Sequence, residues 1–256
     1  MVLGAVVSVA LTACGANVNL QVAVNPSGAG TVTLAVTVPN STAAQIEDLK
    51  NGLPVGDLRA AGWVVSGPRP GPAGTTVVSA SHTFANPSEV PALVADIAGN
   101  GPEASRPFRL SVQEQPGFLQ NSYSASGSVD LRCSLSCFDD PKLAASVGYA
   151  LGMPASEIRQ LVGDPAKTIS FRVEVVLPGQ VTTTDAGARG DGGTLIWSPV
   201  LGQSTSVVAS SKVVDTGRVR ALAIAIAAGA FVVAVTAFYV VWSGRRRRRR
   251  GGLRFR

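Results

Sequence analysis

A single histidine, His82, and three cysteines are all that 256 residues offer of the side chains that most often ligate metals or work as nucleophile and base. Two neighbouring cysteines and one remote imidazole cannot fill the four positions of a zinc site, so no metal and no other cofactor is expected. The phosphate-cradling pattern G-x-x-x-x-G-K-[ST], the dinucleotide pattern G-x-G-x-x-G and the G-x-S-x-G elbow of a serine hydrolase are all missing. His82 shares a strand side with Val78, Ala80 and Phe84, which suits a half-buried structural histidine better than a general base. Asp139 and Asp140 precede Pro141, where they read as a helix N-cap before they read as a carboxylate pair. With no constellation of acid, base and nucleophile, the chain is expected not to be an enzyme.

Two further absences are local. Residues Ala221 to Trp242 contain no charge. As a helix they would run about 33 Å, against a hydrocarbon core of about 30 Å. A buried core helix is the alternative, but Thr236 is its one polar relief from the apolar run. The apolar segment with its flank, residues 219–242, therefore reads as a transmembrane helix. Phe238, Tyr239 and Trp242 stand where an interfacial aromatic belt belongs, and Arg245, Arg246 and Arg247 begin a run of six arginines. By the positive-inside rule the tail, residues 243–256, is cytoplasmic and everything before the span is outside. A run of arginines also suits nucleic acid, but its place directly after an apolar span makes it a stop-transfer anchor for anionic headgroups, and no nucleic-acid partner is expected. Ala221, Ala225 and Gly229 recur at a spacing that lets two helices approach, though an Ala-rich helix produces it by chance, and no pattern sets an oligomeric state.

The second local absence is at the start, where Met1 to Ala13 holds neither Lys nor Arg. Its apolar residues lead into Leu11-Thr12-Ala13-Cys14, which is similar to the lipobox of bacterial lipoprotein signal peptides. Residues 1–14 are read as signal peptide and lipobox, with Cys14 as the lipidated residue. The missing positive n-region means either that the start lies upstream or that the segment is an uncleaved apolar stub. Cys133 and Cys137 fall in a compartment that permits disulfides. A bridge between them is the first reading and two thiols the alternative.

What remains, residues 15–215, is the folded part. Within residues 14–217, 12 Lys and Arg face 16 Asp and Glu, a net charge near −4, so the overall +6 belongs to the tail. Val18, Leu20, Val22 and Val24 alternate with polar residues, Asn25-Pro-Ser-Gly-Ala-Gly30 turns the chain, and Val32, Leu34, Val36 and Val38 alternate back. Helices are expected after Thr42, from Pro54 to Gly62, after Asn86-Pro-Ser-Glu89, after Asp139 and from Pro154 to Val162. Ser66 to Gly74 reads as a Gly/Pro loop and Gly187 to Gly193 as a turn or mobile loop. Further strands are expected at 75–84, 108–112, 123–131, 169–177, 194–197 and 204–214. Short connections and no repeat of 20 to 50 residues give an α+β fold, an antiparallel sheet with short helices on one face. A groove between the two layers would be lined by Trp63, Phe84, Phe108, Tyr123, Phe171 and Trp197, unless these simply fill the core.

Taken together these segments resemble the actinobacterial LppM-type membrane lipoproteins. The likeness runs from Cys14 to the arginine tail through the lipobox, VNLQVAV and TVTLAVTVP in the first hairpin, DLRAAGW at Asp57 to Trp63, SVDLRCSLSCF at Ser128 to Phe138, VEVVLPG at Val173 to Gly179, Trp197 and the single C-terminal span. The resemblance implies an extracytoplasmic α+β domain on the cell envelope. It also implies binding of membrane lipids of the phosphatidylinositol-mannoside type, and host-cell uptake in pathogenic members. No binding residue is carried over by position. A non-catalytic domain that binds envelope lipid or glycolipid is the leading expectation, and an envelope protein that binds a protein partner through an edge strand or apolar patch is the alternative.

Overall fold

The computed structural model describes residues 15–44, 56–98, 106–132, 169–214 and 216–250, with side chains as far as Tyr239. Cys14, Cys133 and Cys137 lie outside the described residues, as do the helices expected after Asp139 and from Pro154. The chain forms two compact units, Met1–Gln115 with Ser122–Lys212, and Pro116–Asn121 with Val213–Arg256.

The first unit is built on the alternation seen in the sequence. Strand β1 (Ala16–Val24) pairs antiparallel with β2 (Gly30–Pro39), and Leu20, Val22, Val24 and Val32 are buried on one face. The turn between them needs a left-handed residue, and Gly28 supplies it at φ +85°. A short helix α1 (Asn40–Ala43) follows, then α2 (Gly56–Ala60), which ends against Gly62 as its sequence suggests. The segment expected as a Gly/Pro loop is largely strand: β3 (Val64–Pro70) pairs with β4 (Thr75–Phe84) across a bulge between Ser66 and Arg69. Proline is tolerated there because β3 is the sheet edge, where half the backbone donors need no partner.

Strand β4 leads through Asn86-Pro-Ser-Glu89 into α3 (Val90–Ala98). The Asn86 side chain accepts from the Ser88 amide at 3.1 Å, and the Glu89 carboxylate accepts from the Asn86 amide at 2.9 Å, the reciprocal cap anticipated above. Val90, Leu93 and Val94 are the buried face of α3. Strands β5 (Phe108–Gln115) and β6 (Gln120–Asp130) form a hairpin, followed among the described residues by β7 (Ile169–Val176), β8 (Gln180–Thr184), β9 (Ala188–Arg189), β10 (Leu195–Trp197) and β11 (Ser204–Val214). The piece from Gly187 to Gly193 thus holds a short strand and a 3-10 turn.

These strands make an α+β fold with two sheets where one was expected: β3-β4-β2-β1-β7-β10-β9 and β5-β6-β11-β8. One pairing departs from the antiparallel expectation, since β1 runs parallel to β7 in the centre of the larger sheet. Its outer face is polar and paired, with Gln21 Nε2 donating to Glu174 Oε2 at 3.0 Å, while Val173 and Val175 are buried on the other.

A carboxylate in the loop after β8 stitches the two sheets. Asp185 accepts from Trp197 Nε1 at 2.8 Å on β10, and from Ser206 Oγ at 2.7 Å and the Val208 amide at 2.8 Å on β11. Burial raises its pKa, but the three hydrogen bonds outweigh that and leave it below 3.8. A depressed carboxylate stabilises the fold above its unfolded pKa of about 3.9, and that stabilisation is lost as pH falls through the folded value. Asp185→Asn keeps an acceptor but removes the charge. At neutral pH it should cost about 1 kcal/mol, kept small because the carboxylate is exposed to solvent. Thermal melts across pH should show the gap to wild type closing below about pH 4, and a gap independent of pH would remove the charge from this account.

The second unit contains α4 (Thr216–Arg250). Within its first 24 residues, Thr216–Tyr239, the most apolar window of 18 residues has a mean hydropathy of 2.5, and none of that window is buried. Ile224, Phe231, Val233 and Phe238 are exposed. The helix is long and apolar enough to cross a membrane, and it does not stop at Trp242: its backbone stays helical through the arginines. Cationic side chains favour a helix C-terminus, which carries partial negative charge.

Candidate functional site

A groove lies where α3 packs on the β5–β6 hairpin. Its volume is about 480 Å³. One wall is the outer face of α3, where Pro91, Ala92 and Ala95 project away from the buried Val90, Leu93 and Val94. Because those residues are small, they leave the space beside the strands open. The other wall comes from β5, β6 and the residues leading into them: Arg106, Phe108, Arg109, Leu110, Ser111, Ser126 and Gly127.

The walls differ in chemistry. Along the hairpin, Ser111 Oγ lies 3.0 Å from both Ser126 Oγ and the Ser126 carbonyl, giving a hydroxyl pair on the strand surface. Arg109 Nε is buried and has no hydrogen-bond partner among the described residues. A buried guanidinium nitrogen with no acceptor invites one from a ligand or a water. Asp130 is close enough to feel the Arg109 charge, but its carboxylate is taken by Arg132, whose hydrogen bonds hold it at about 2. The groove thus joins a hydrocarbon wall to a cationic, hydroxyl-bearing one.

Of the six aromatic residues expected to line such a groove, Phe108 does so, with its side chain otherwise buried. Trp63, Phe84, Tyr123, Phe171 and Trp197 are also buried but do not line it. They fill the interior because large apolar rings gain most from leaving water there. Tyr123, with no exposed surface, places its hydroxyl 3.0 Å from the Pro26 carbonyl and 2.9 Å from Glu114 Oε1, where its one proton is donated to either acceptor. Trp63 meets His82 in a tilted ring contact, with centroids 5.5 Å apart, and donates to Asp96 Oδ2 at 3.4 Å. His82 Nδ1 is buried with no partner among the described residues.

Phe108 apart, sequence reasoning selected none of the lining residues, Arg106, Arg109, Ala92 and Ala95 included. Arg106-Pro-Phe-Arg109 sets two guanidiniums at the entry to a strand in an acidic domain, and that was the available signal. Small alanines on the outer face of α3 carry none. Among the described residues, no three His, Cys, Asp or Glu side chains are grouped to hold a metal ion. Phe238 and Tyr239 are exposed near the end of the described apolar run, and the side chains of Trp242, Arg245, Arg246 and Arg247 lie outside the described residues.

Among curated proteins none matches this chain significantly. Among solved structures, the NMR structure of the folded domain of Mycobacterium tuberculosis LppM is similar at 13% identity, with a TM-score of 0.44, over 79% of this chain and 92% of that one. The family model of the LppM domain matches residues 16–213, which span both sheets and the groove between α3 and the hairpin, and on that match the chain belongs to the LppM domain family.

Proposed function

We propose that this chain is a single-pass envelope protein whose non-catalytic domain stands outside the cytoplasm and binds a membrane lipid or glycolipid in the groove beside α3. The observation that carries the reading is the pairing of chemistries in that groove. An alanine wall suits acyl chain, a buried guanidinium nitrogen without an acceptor suits a phosphate, and the Ser111–Ser126 hydroxyls suit sugar hydroxyls. A phosphatidylinositol-mannoside-type glycolipid, the class implied by the resemblance, has all three parts. The arginines at the end of α4 would hold the C-terminus in the cytoplasm, and a lipid on Cys14 would give the domain a second attachment to the same bilayer.

Ala95→Phe tests the groove without touching the buried face of α3. The added ring should occupy the space that an acyl chain would fill. Native mass spectrometry of the full-length protein released from envelope membranes should find phospholipid or glycolipid retained by the wild type and several-fold less by the variant, with an unchanged melting temperature. Equal retention by both would place the lipid elsewhere. No retention by either, with crosslinks to one protein, would favour a partner-binding role.

A further inference from the structure

The tip of the β5–β6 hairpin presents the most exposed large apolar side chain of the chain's described residues, Phe118 at 76%. Single exposed apolar residues are ordinary on protein surfaces. This one is distinguished by where it is held. Residues Pro116–Asn121 belong to the same compact unit as α4. Within that unit the Arg218 guanidinium, in the first turn of α4, donates to the Gly117 carbonyl, the residue next to Phe118. The turn itself is tight: a Cβ on Gly117 would collide with the Gln120 carbonyl. The described apolar run of α4 begins at the same place, with Val219 and Leu222 exposed just after Arg218.

We infer that Phe118 and Leu119 form a membrane-dipping tip that enters the outer interface beside the start of α4, its occupant being the lipid surface. The inference rests on the reading of α4 as a membrane span. A helix that crosses a bilayer puts its first apolar turn at the headgroup level, and a ring fastened to that turn is then placed at the same depth. Aromatic rings are favoured in that zone, and Arg218 and Arg220 flank it with charges that reach headgroup phosphates. The Arg218 contact therefore sets the depth of the tip and leaves the ring free for lipid.

The test uses the full-length chain in nanodiscs of equimolar phosphatidylcholine and phosphatidylglycerol, with trifluoromethyl-phenylalanine at position 118 in one sample and at position 231 in another. Fluorine NMR then compares relaxation by lipids bearing a nitroxide high on the acyl chain with relaxation by a water-soluble gadolinium chelate. At position 118 the lipid nitroxide should dominate the chelate by several-fold, and Arg218→Ala should reduce that excess at 118 without changing position 231. Relaxation of position 118 by the chelate alone, with position 231 relaxed by lipid, overturns the dipping tip and leaves the span standing. Chelate access at both positions overturns the span and the tip with it.

Discussion

Ile226→Asp combined with Val233→Asp, in a Cys14→Ser background that removes the proposed second attachment, is expected to take the chain out of the carbonate-resistant membrane fraction. The two positions are two helical turns apart near the middle of the apolar run, and both side chains are exposed. A charge at a span's centre costs about 2.5 to 3.5 kcal/mol on insertion scales, so the pair should cost roughly 5 to 7 kcal/mol. That is comparable to what an alanine-rich segment gains by entering a bilayer, since each alanine contributes little apolar area and the leucines, isoleucines, valines and aromatics carry the balance. Alkaline extraction of membranes from cells expressing wild type and variant checks it. A wild-type chain released into the supernatant would mean that α4 covers its apolar surface with protein instead of lipid. A variant that stays in the pellet would assign anchoring to some other segment.

None of the most apolar window of α4 is buried, and the helix is long and apolar enough to cross a membrane. Its continuation through Arg250 also alters the picture of the tail. Six adjacent arginines repel one another at i, i+3 and i, i+4, yet they sit at the end of a helix already formed over residues 216–244, where extension needs no new nucleus.

The elements that could be read from the residues are those with local causes. The β1–β2 hairpin follows from alternating valines around a turn that holds Gly28, and the start of α3 follows from Asn86, Pro87 and Glu89. The parallel pairing of β1 with β7 has no such cause. Asn17 and Ser170 are 153 positions apart, and the choice of a parallel neighbour is made by packing of the whole sheet. The division into two sheets is equally non-local. Asp185, which ties β10 to β11, is one acidic residue in a loop and looks like any other in sequence. The groove was sought among aromatic residues because rings line many binding sites. Here the rings went to the core, and the opening exists because Ala92 and Ala95 leave room that larger residues would have closed.

Gly127→Ala should be among the most damaging single-methyl changes in the domain. Gly127 faces Leu110 across the β5–β6 hairpin, and a Cβ there would lie 2.0 Å from the Arg109 carbonyl oxygen and 2.9 Å from Leu110 Cα. Both are backbone atoms of a paired strand, so no rotamer change relieves the contact and the two strands must separate. Overpacking that forces backbone shifts costs about 1 to 3 kcal/mol in ordinary cores, and a collision with main chain belongs at or above the upper end. For a domain of this size about 3 kcal/mol corresponds to a fall in melting temperature of roughly 6 to 12 °C. Gly187→Ala is the control, because open space surrounds its Cβ direction and it should change the melting temperature by little. Gly127 also lines the groove, between Arg109 and Ser126, so lipid retention should fall together with stability. Ala95→Phe separates the two effects by blocking the same space while the hairpin stays paired. If Gly127→Ala melts within about 2 °C of wild type, the strands have slack at this point, and the groove floor is not the rigid surface on which the lipid-binding proposal depends.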